Sequence, residues 1–297
     1  MKRFIKHSVL FGVFAGVFYV LFFSMTGTHN PNVMFKKQAG HLYSRINEIP
    51  NFPKVEVLFI GSSHAYRGFD TRIFAKNKIS SFNLGSSSQS PIQSLYLLEE
   101  YLDDIECEKV VLEVSPIAFS SDGIESTLDI ISNDKTNWKI LKMGIEARHL
   151  KVFNTLIFSN VRQLLNLDNA FIEEKTIGKD TYISGGFVER QKQDFKQSAN
   201  TFYEIKQKQV IAFEKIVELT KAKGIQLILV QAPVTSAEYA TYKSKDAFDS
   251  MMANASEYYN FNTLLTLEDS LHFYDSHHLN QTGVERFNTK LIEILVN

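Results

Sequence analysis

The sequence predicts an α/β protein whose mostly parallel sheet is covered by helices on both faces. Short apolar stretches rich in Val, Leu, Ile and Phe alternate with stretches of helical periodicity, a pattern typical of parallel strands joined by helices. One such stretch, Lys109–Val114, is largely apolar, as expected of a central strand buried on both faces. A chain of 297 residues, 44% of them hydrophobic, is long enough for one large α/β domain or two smaller domains.

The order of the elements follows from local signals along the chain. Strands are predicted at Lys54–Ile60, Ser80–Leu84, Lys109–Val114, Ile225–Val230 and near Tyr259–Leu265. Helices are predicted at Asp70–Asn77, Pro91–Asp104, Trp138–Arg148, Phe153–Leu167, Thr201–Lys223, Ser236–Ala253 and Thr282–Leu295. Asp70 or Thr71 caps the first of these helices, Pro91 lies in the first turn of the second, and Gly224 ends the long one.

Residues 1–28 are predicted to be an N-terminal transmembrane helix. Met1–Lys6 is basic and Val9–Met25 is apolar apart from Ser24. About twenty residues at ~1.5 Å each span ~30 Å, the thickness of a bilayer core. The basic end predicts a single-pass protein of the bacterial cytoplasmic membrane with an extracytoplasmic catalytic domain. A cleaved signal peptide and a buried core helix are the alternatives; the segment has no clear cleavage site and is apolar on all sides.

The rest of the chain divides into a stalk and a domain. Residues 29–53 are predicted to form the stalk, with a short helix, and residues 54–297 the domain. Residues 125–200 interrupt the alternation of strands and helices with helical patterns followed by a polar, glycine-containing stretch. This segment is interpreted as a helical insertion that forms a cap or lid.

Composition excludes several classes of function. A formal net charge of -1 and the lack of a basic run among aromatic residues argue against nucleic-acid binding. The single cysteine, Cys107, excludes an internal disulfide and a cysteine zinc cluster. His272, His277 and His278 lack the carboxylates that would complete a metal site, so we expect neither a metal nor a cofactor.

The first strand ends in a glycine followed by Ser62, Ser63 and His64. A serine at the carboxyl end of a parallel strand lies where α/β sheets bind their ligands. Ser63 is therefore either a turn residue or a nucleophile. A nucleophilic serine needs a base and a group that orients the base, because its hydroxyl is inert at its own pKa.

A base and an orienting acid stand together near the C-terminus. Asp275 and His278 are three residues apart, so one helical turn would put the carboxylate beside the imidazole. A carboxylate in that position holds a histidine in the tautomer that accepts a proton. His277 could exchange roles with His278, although it is more simply an exposed neighbour.

Three blocks of the chain resemble the SGNH/GDSL hydrolase superfamily: "FIGSSHA", "FNLGSSS" and "DSHHLNQTGVERF". The resemblance covers residues 54–297 apart from the insertion. It implies a flavodoxin-like three-layer α/β/α sandwich and Ser-His-Asp catalysis of ester hydrolysis or acyl transfer. Ser63 matches the nucleophile, His278 the base and Asp275 the acid that orients it. The backbone N–H groups of Ser63 and Gly85 match the oxyanion hole.

The blocks depart from the family in two places. Ser62 stands where the family usually has aspartate, a substitution seen in membrane-anchored members. The asparagine of the third block is missing, and Ser115 follows the strand instead, so a third oxyanion donor is Asn83, Ser115 or absent.

Two further residues near the serine have two interpretations each. Arg67 could grip an anionic or hydroxyl-rich substrate or pair with Asp70 or a surface acid. His64 is interpreted as a structural or rim residue, with substrate contact as the alternative.

The resemblance and the anchor together predict an extracytoplasmic serine esterase or O-acyltransferase. Its substrate would be an acyl ester of a cell-envelope polysaccharide or glycolipid, and its partner a membrane-bound acyltransferase. The alternative is a catalytically impaired scaffold or glycan-binding protein of a polysaccharide export complex. A phosphate-ester or sulfate transferase is disfavoured because no phosphate-cradling glycine loop follows the first strand.

Overall fold

The computed structural model describes residues 1–26, 40–166, 171–191, 195–196 and 203–296. Its strands are β1 (Lys54–Ile60), β2 (Ser81–Asn83), β3 (Glu106–Glu113), β4 (Thr176–Ile177), β5 (Asp180–Ile183), β6 (Phe187–Arg190), β7 (Gln226–Gln231) and β8 (Glu257–Asn260). The helices up to the insertion are α1 (Lys2–Thr26), α2 (Leu42–Glu48), α3 (Ser63–Gly68), α4 (Thr71–Lys76), α5 (Pro91–Tyr101) and α6 (Pro116–Ser120), with a 3₁₀ turn at Ile49–Asn51. The later helices are α7 (Ile124–Asn133), α8 (Trp138–Glu146), α9 (Leu150–Leu164), α10 (Gln207–Ala222), α11 (Ser236–Thr241), α12 (Lys245–Ala255), α13 (Phe261–Leu264), α14 (Asp269–His272) and α15 (Gln281–Val296).

The central sheet of the described residues contains five parallel strands in the order β2-β1-β3-β7-β8. From β1 the chain runs to β2 on one side and then crosses to β3 on the other side. The strand order therefore reverses at β1, and ligands of such sheets bind at the carboxyl ends of the strands beside the reversal. The predicted α/β fold with a mostly parallel sheet is confirmed.

Helices cover both faces of this sheet. On β1, Leu58 and Ile60 face one apolar cluster while Val57 and Phe59 face the other, because successive side chains of a strand point to opposite sides. Helices α5, α10 and α12 supply the first cluster, and α4 and α15 supply the second. The arrangement has three layers, with β1 buried between two of them.

The predicted anchor segment forms one continuous helix, α1. Apolar side chains such as Phe4, Phe11 and Phe14 are exposed on it. Near its end, the Tyr19 hydroxyl donates a hydrogen bond to the side chain of Asn154 in α9. Over residues 1–26 and the other described ranges, no helix meets the length and hydropathy needed to cross a membrane.

The described part of the predicted stalk lies against the domain. In α2, Leu42 and Arg45 are 1% and 0% exposed, and Ile49 follows them into the core. The short helix predicted here is present, and it packs against the domain, which the sequence did not indicate. Residues 29–39 of the predicted stalk lie outside the described residues.

The inserted segment 125–200 is only partly helical. Most of α7 and the whole of α8 and α9 fall within it, and they are followed by a small antiparallel sheet in the order β4-β5-β6. This sheet packs beside the serine helix α3 and next to β2, where Asn83 N–H donates to Gly185 O at 2.8 Å. The polar glycine-containing stretch is thus a folded hairpin, and residues 167–170, 192–194 and 197–200 lie outside the description.

Two predicted elements near the C-terminus differ from the structure. The single helix predicted at Ser236–Ala253 is two helices, α11 and α12, because Ser244 adopts a positive φ of 57°. The strand predicted near Tyr259–Leu265 stops at Asn260, whose side chain accepts a hydrogen bond from Asn262 N–H and begins α13. Side-chain capping ended this strand, and the apolar residues beyond it did not prolong it.

Candidate active site

Ser63 occupies the carboxyl end of β1, at the first residue of α3. The turn before it needs glycine: Gly61 has φ 146°, and a Cβ on it would lie 2.6 Å from Glu113 Cβ in the adjacent strand. Ser62 then caps α3 by accepting a hydrogen bond from His64 N–H at 3.2 Å. The close approach of β1 and β3 therefore sets where the chain turns and presents Ser63.

Asp275 and His278 are brought together by a loop. The Asp275 carboxylate accepts hydrogen bonds from the backbone N–H groups of His277 and His278 at 2.9 and 2.8 Å. Tyr274 N–H donates to His278 O at 3.1 Å and closes the loop. Asp275 and His278 lie side by side as expected, but they belong to a loop and not to the helical turn that their spacing predicted.

Ser63, His278 and Asp275 form a continuous hydrogen-bonded row. The Ser63 Oγ lies 2.8 Å from His278 Nε2, although 215 positions separate the two residues in the chain. On the other side of the ring, His278 Nδ1 lies 2.9 Å from Asp275 Oδ2. With Nδ1–H donating to the carboxylate, Nε2 is left to accept the serine proton.

The protonation states suit this arrangement. Burial lowers the pKa of His278 to about 4, and the charges of His64 and Arg67 act in the same direction against the opposing effect of Asp275. Burial would raise the pKa of Asp275, but the hydrogen bond and charge of His278 outweigh it and hold that pKa well below its usual range. At neutral pH the imidazole is therefore a neutral base beside an ionised carboxylate.

A buried carboxylate that sequence analysis missed, Glu113, lies beneath the serine. Its Oε2 accepts hydrogen bonds from Ser62 Oγ at 2.8 Å and Ser62 N–H at 3.2 Å, and its Oε1 lies 3.3 Å from His64 Nδ1. Burial opposes charge on both side chains, yet the hydrogen bond and charge between them raise the pKa of His64 and lower that of Glu113. A buried ion pair thus fixes the residues on both sides of Ser63.

An aromatic ring stacks on the base. Tyr274 lies parallel to the His278 ring at 5.4 Å between centroids and 6° between planes. The guanidinium of Arg190, from the inserted hairpin, sits 4.9 Å from the Tyr274 centroid. These contacts restrict the rotation of His278. The only sign of this role for Tyr274 in the sequence is its position directly before Asp275.

The expected oxyanion donors are mostly engaged elsewhere. Gly85 N–H donates to Asn83 Oδ1 at 3.1 Å, and Asn83 Nδ2 donates to the carbonyls of Ala65 and Phe69 at 2.8 and 3.2 Å. Ser115 Oγ accepts from the N–H of Ala118 and caps α6. The backbone N–H of Ser63, at the start of α3, is bonded to none of the described residues.

Arg67 forms an ion pair with a residue of the insertion. Its Nη1 and Nη2 donate to the carboxylate of Asp180 at 2.7 and 2.9 Å, and its side chain is only 9% exposed. Arg67 pairs with Asp180 and not with Asp70, which is bonded to Arg72 instead. Contact of Arg67 with substrate stays a prediction.

The other histidines take different positions. His64 is 7% exposed and held by Glu113, which fits its structural interpretation. The His277 ring lies 5.8 Å from that of His278, and its Nδ1 is 3.8 Å from Glu238 Oε1, so the structure places His278 on Ser63. His272 Nδ1 bonds within its own helical turn to Glu268.

Comparisons with known proteins find similar chains among solved structures. No family model and no curated protein matches the chain. A GDSL-like lipase from Bacteroides thetaiotaomicron is similar with 10% identity and a TM-score of 0.42, over 87% of this chain and 98% of that one. A predicted acylhydrolase from Bacteroides fragilis gives 12% and 0.39, over 84% and 95%. A predicted platelet activating factor from Streptococcus pneumonia gives 14% and 0.46, over 92% and 99%. Similarity at this level does not assign a function, and the assignment depends on the geometry of the site.

Proposed function

We propose that this protein is a serine esterase or O-acyltransferase of the SGNH type. The observation that carries the proposal is the 2.8 Å contact between Ser63 Oγ and His278 Nε2, with His278 Nδ1 held by Asp275. A nucleophile bonded to its base, and a base bonded to its orienting acid, is the arrangement that acyl transfer through a serine requires.

The reaction proceeds in two halves. Ser63 Oγ attacks the carbonyl carbon of an acyl ester while His278 Nε2 takes the hydroxyl proton. The tetrahedral intermediate collapses when His278 returns that proton to the departing alcohol oxygen, leaving the acyl group on Ser63. Water or a sugar hydroxyl then attacks the acyl-enzyme, His278 takes its proton, and the proton returns to Ser63 as the product leaves.

The oxyanion of the intermediate needs fixed donors. The Ser63 N–H is one, and Gly85 N–H becomes a second when it exchanges Asn83 Oδ1 for the oxyanion. One such donor contributes ~3–4 kcal/mol to transition-state stabilisation. We therefore expect slow turnover on unspecific esters, and faster turnover on a substrate that displaces the Asn83 contact.

The proposed setting is the outer side of a bacterial cytoplasmic membrane. Three cations at Lys2, Arg3 and Lys6 precede the exposed apolar surface of α1, which supports a single-pass anchor with the catalytic domain outside. Substrates made or exported there are acylated polysaccharides and glycolipids, and a membrane-bound acyltransferase would be a partner. When the full chain is expressed in bacteria, we expect it in the membrane fraction; recovery from the soluble fraction would contradict the anchor.

A non-catalytic glycan-binding scaffold is the second candidate. The engagement of Gly85 N–H by Asn83, together with the capping role of Ser115, favours it because both remove donors from the oxyanion site. Such a protein would keep the serine–histidine contact without stabilising a tetrahedral intermediate.

One experiment separates the two candidates. The full-length protein in detergent is assayed on nitrophenyl acetate and treated with a fluorophosphonate, alongside Ser63→Ala. The esterase predicts turnover and covalent labelling in the wild type and loss of both in the variant. A wild type that neither turns over nor becomes labelled supports the scaffold.

A further inference from the structure

Three buried polar atoms beside the catalytic row have no hydrogen-bond partner among the described residues. They are Glu238 Oε2, the Tyr242 hydroxyl and His277 Nδ1. Glu238 and Tyr242 are 1% and 4% exposed, so bulk water does not reach them freely. Leaving such groups unpaired costs ~1–3 kcal/mol each. A folded protein that retains several of them together offers a ready set of partners for a ligand.

Two of the three residues, Glu238 and His277, lie together beside His278. His277 Nδ1 lies 3.8 Å from Glu238 Oε1, and the His277 ring is 5.8 Å from that of His278. Tyr203 donates to Glu238 Oε1 at 2.8 Å, which leaves Oε2 as the unpaired oxygen.

Tyr242 follows Glu238 by four residues, and its ring lies 5.5 Å from that of Tyr203, which donates to Glu238 Oε1. Burial is the main cause that raises the pKa of Tyr242, and the negative charges of Glu238 and Glu113 raise it further. The phenol therefore remains a hydrogen-bond donor. The His277 ring lies 6.4 Å from that of His64, so the polar cluster borders the Glu113–His64 pair as well as the base.

Neighbouring tyrosines of the same region show that pairing is possible there. The hydroxyl of Tyr239, in α11, accepts a hydrogen bond from Asn260 Nδ2 at 3.1 Å. The Tyr239 and Tyr242 rings are 5.8 Å apart. The Tyr242 hydroxyl is thus unpaired although the hydroxyl of the neighbouring tyrosine is hydrogen-bonded.

The chemistry of the three atoms selects a hydroxyl group. The Tyr242 hydroxyl donates, the Glu238 oxygen accepts, and a histidine nitrogen does either according to its tautomer. An alcohol donates one hydrogen bond and accepts others, so it satisfies all of them. An ammonium ion would leave the tyrosine donor unpaired, and a phosphate or carboxylate would be repelled by Glu238.

We propose that Glu238, Tyr242 and His277 form a subsite that binds a free hydroxyl of a sugar held beside Ser63. The subsite belongs to the alcohol side of the ester, because His278 must reach the departing alcohol oxygen and His277 is its immediate neighbour. Its assignment to a sugar ester rests on the proposed function. The sugar would be the group that loses an acyl chain on hydrolysis or accepts one on transfer.

The first test compares two esters. One is a monoacetylated glucose, which carries free hydroxyls, and the other is nitrophenyl acetate, which carries none. Tyr242→Phe should lower kcat/KM by about 3- to 10-fold more on the sugar ester than on the aryl ester, as loss of one hydrogen bond predicts. The matched control Tyr239→Phe should change the ratio of the two values little. An unchanged ratio in Tyr242→Phe overturns the subsite.

The second test does not depend on turnover. Methyl glucoside is titrated against full-length Ser63→Ala and against Ser63→Ala carrying Tyr242→Phe, with chemical shifts as the readout. The subsite predicts binding that the second substitution weakens by about 3- to 10-fold. Equal affinities, or no binding to either protein, overturn the subsite. Weakened binding together with an inactive, unlabelled wild type keeps the subsite and rejects the esterase.

Discussion

Arg67 and Asp180 join the serine helix to the inserted hairpin. Two guanidinium nitrogens lie 2.7 and 2.9 Å from the two carboxylate oxygens, and Asp180 is 1% exposed. Arg190 approaches the same carboxylate at 3.2 and 3.3 Å. The insertion is therefore bonded to the element that carries Ser63, and its folding bears on the geometry of the site.

Asp180→Ala should destabilise the protein strongly. Removing one partner of a buried ion pair leaves an uncompensated charge, which costs ~3–5 kcal/mol. We expect urea denaturation to show a loss of this size. Lys54→Ala, which removes an exposed pair with Glu106, should hardly move the midpoint. Similar midpoints for both variants would mean that Arg67 finds another partner or that the hairpin is not docked on α3.

Gly186→Ala should separate the hairpin from β2. Gly186 has φ 93°, and a Cβ on it would lie 2.0 Å from Asn83 O, a backbone atom that cannot move alone. Gly178→Ala is the matched control, because Gly178 also has positive φ, 62°, but nothing within 4 Å of the added carbon. Strain alone costs about 1 kcal/mol in each. We expect a clearly larger loss of unfolding free energy in Gly186→Ala; equal losses would contradict the docking.

Asp275→Asn should retain the fold and lose most of the activity. An asparagine oxygen can still accept the backbone N–H groups of His277 and His278, so the loop should persist. Its NH₂ group would face His278 Nδ1 and favour the tautomer with the proton on Nε2, which cannot accept the serine proton. We expect kcat to fall by about 10⁴-fold in an ester assay, with an unchanged circular dichroism spectrum. A loss below tenfold would argue that Asp275 does not orient the base.

The pH dependence of kcat/KM should show an acid limb near pH 4. Catalysis needs neutral His278, and burial lowers its pKa to about 4. Activity should therefore hold as the pH falls through the ordinary range of histidine and disappear only when Nε2 becomes protonated. An acid limb near the ordinary histidine value of ~6.5 would contradict the buried base.

Glu113→Gln should move that acid limb to higher pH. Glutamine can still accept from Ser62, but it has no charge to keep His64 protonated, and burial then favours neutral His64. The positive charge of His64 is one cause of the low pKa of His278, so its loss raises that pKa. A pH profile of kcat/KM for the variant beside the wild type measures the shift. A limb that stays in place or moves to lower pH would exclude this coupling.

Much of the fold was predictable because its signals are local. β1 and α15 match their predicted bounds closely, since apolar alternation and helix periodicity are carried by neighbouring residues. The inserted hairpin was missed because its strands are only two to four residues long, too short for a recognisable alternation of apolar and polar residues. Glu113 was missed because it ends a strand whose apolar content masks a single acid.

The candidate site likewise combines relationships between near neighbours in the chain with relationships between distant residues. The glycine turn before Ser63 and the pairing of Asp275 with His278 are short-range, so residue order alone indicated them. Two other relationships depend on strand order and packing: Glu113 beneath His64, and Arg67 bonded to the insertion.

The amino-acid sequence by itself determined the alternation of strands and helices and the positions of a serine, an acid and an imidazole capable of acyl chemistry. Only the tertiary structure decided which groups surround them, because those contacts join residues distant in the chain. Crossing from β2 to β3 puts Glu113 beside Ser62, and docking of the hairpin turns Arg67 inward. Burial lowers the pKa of His278, while hydrogen bonds and neighbouring charges outweigh burial at Asp275, His64 and Glu113; no short stretch of residues encodes either effect.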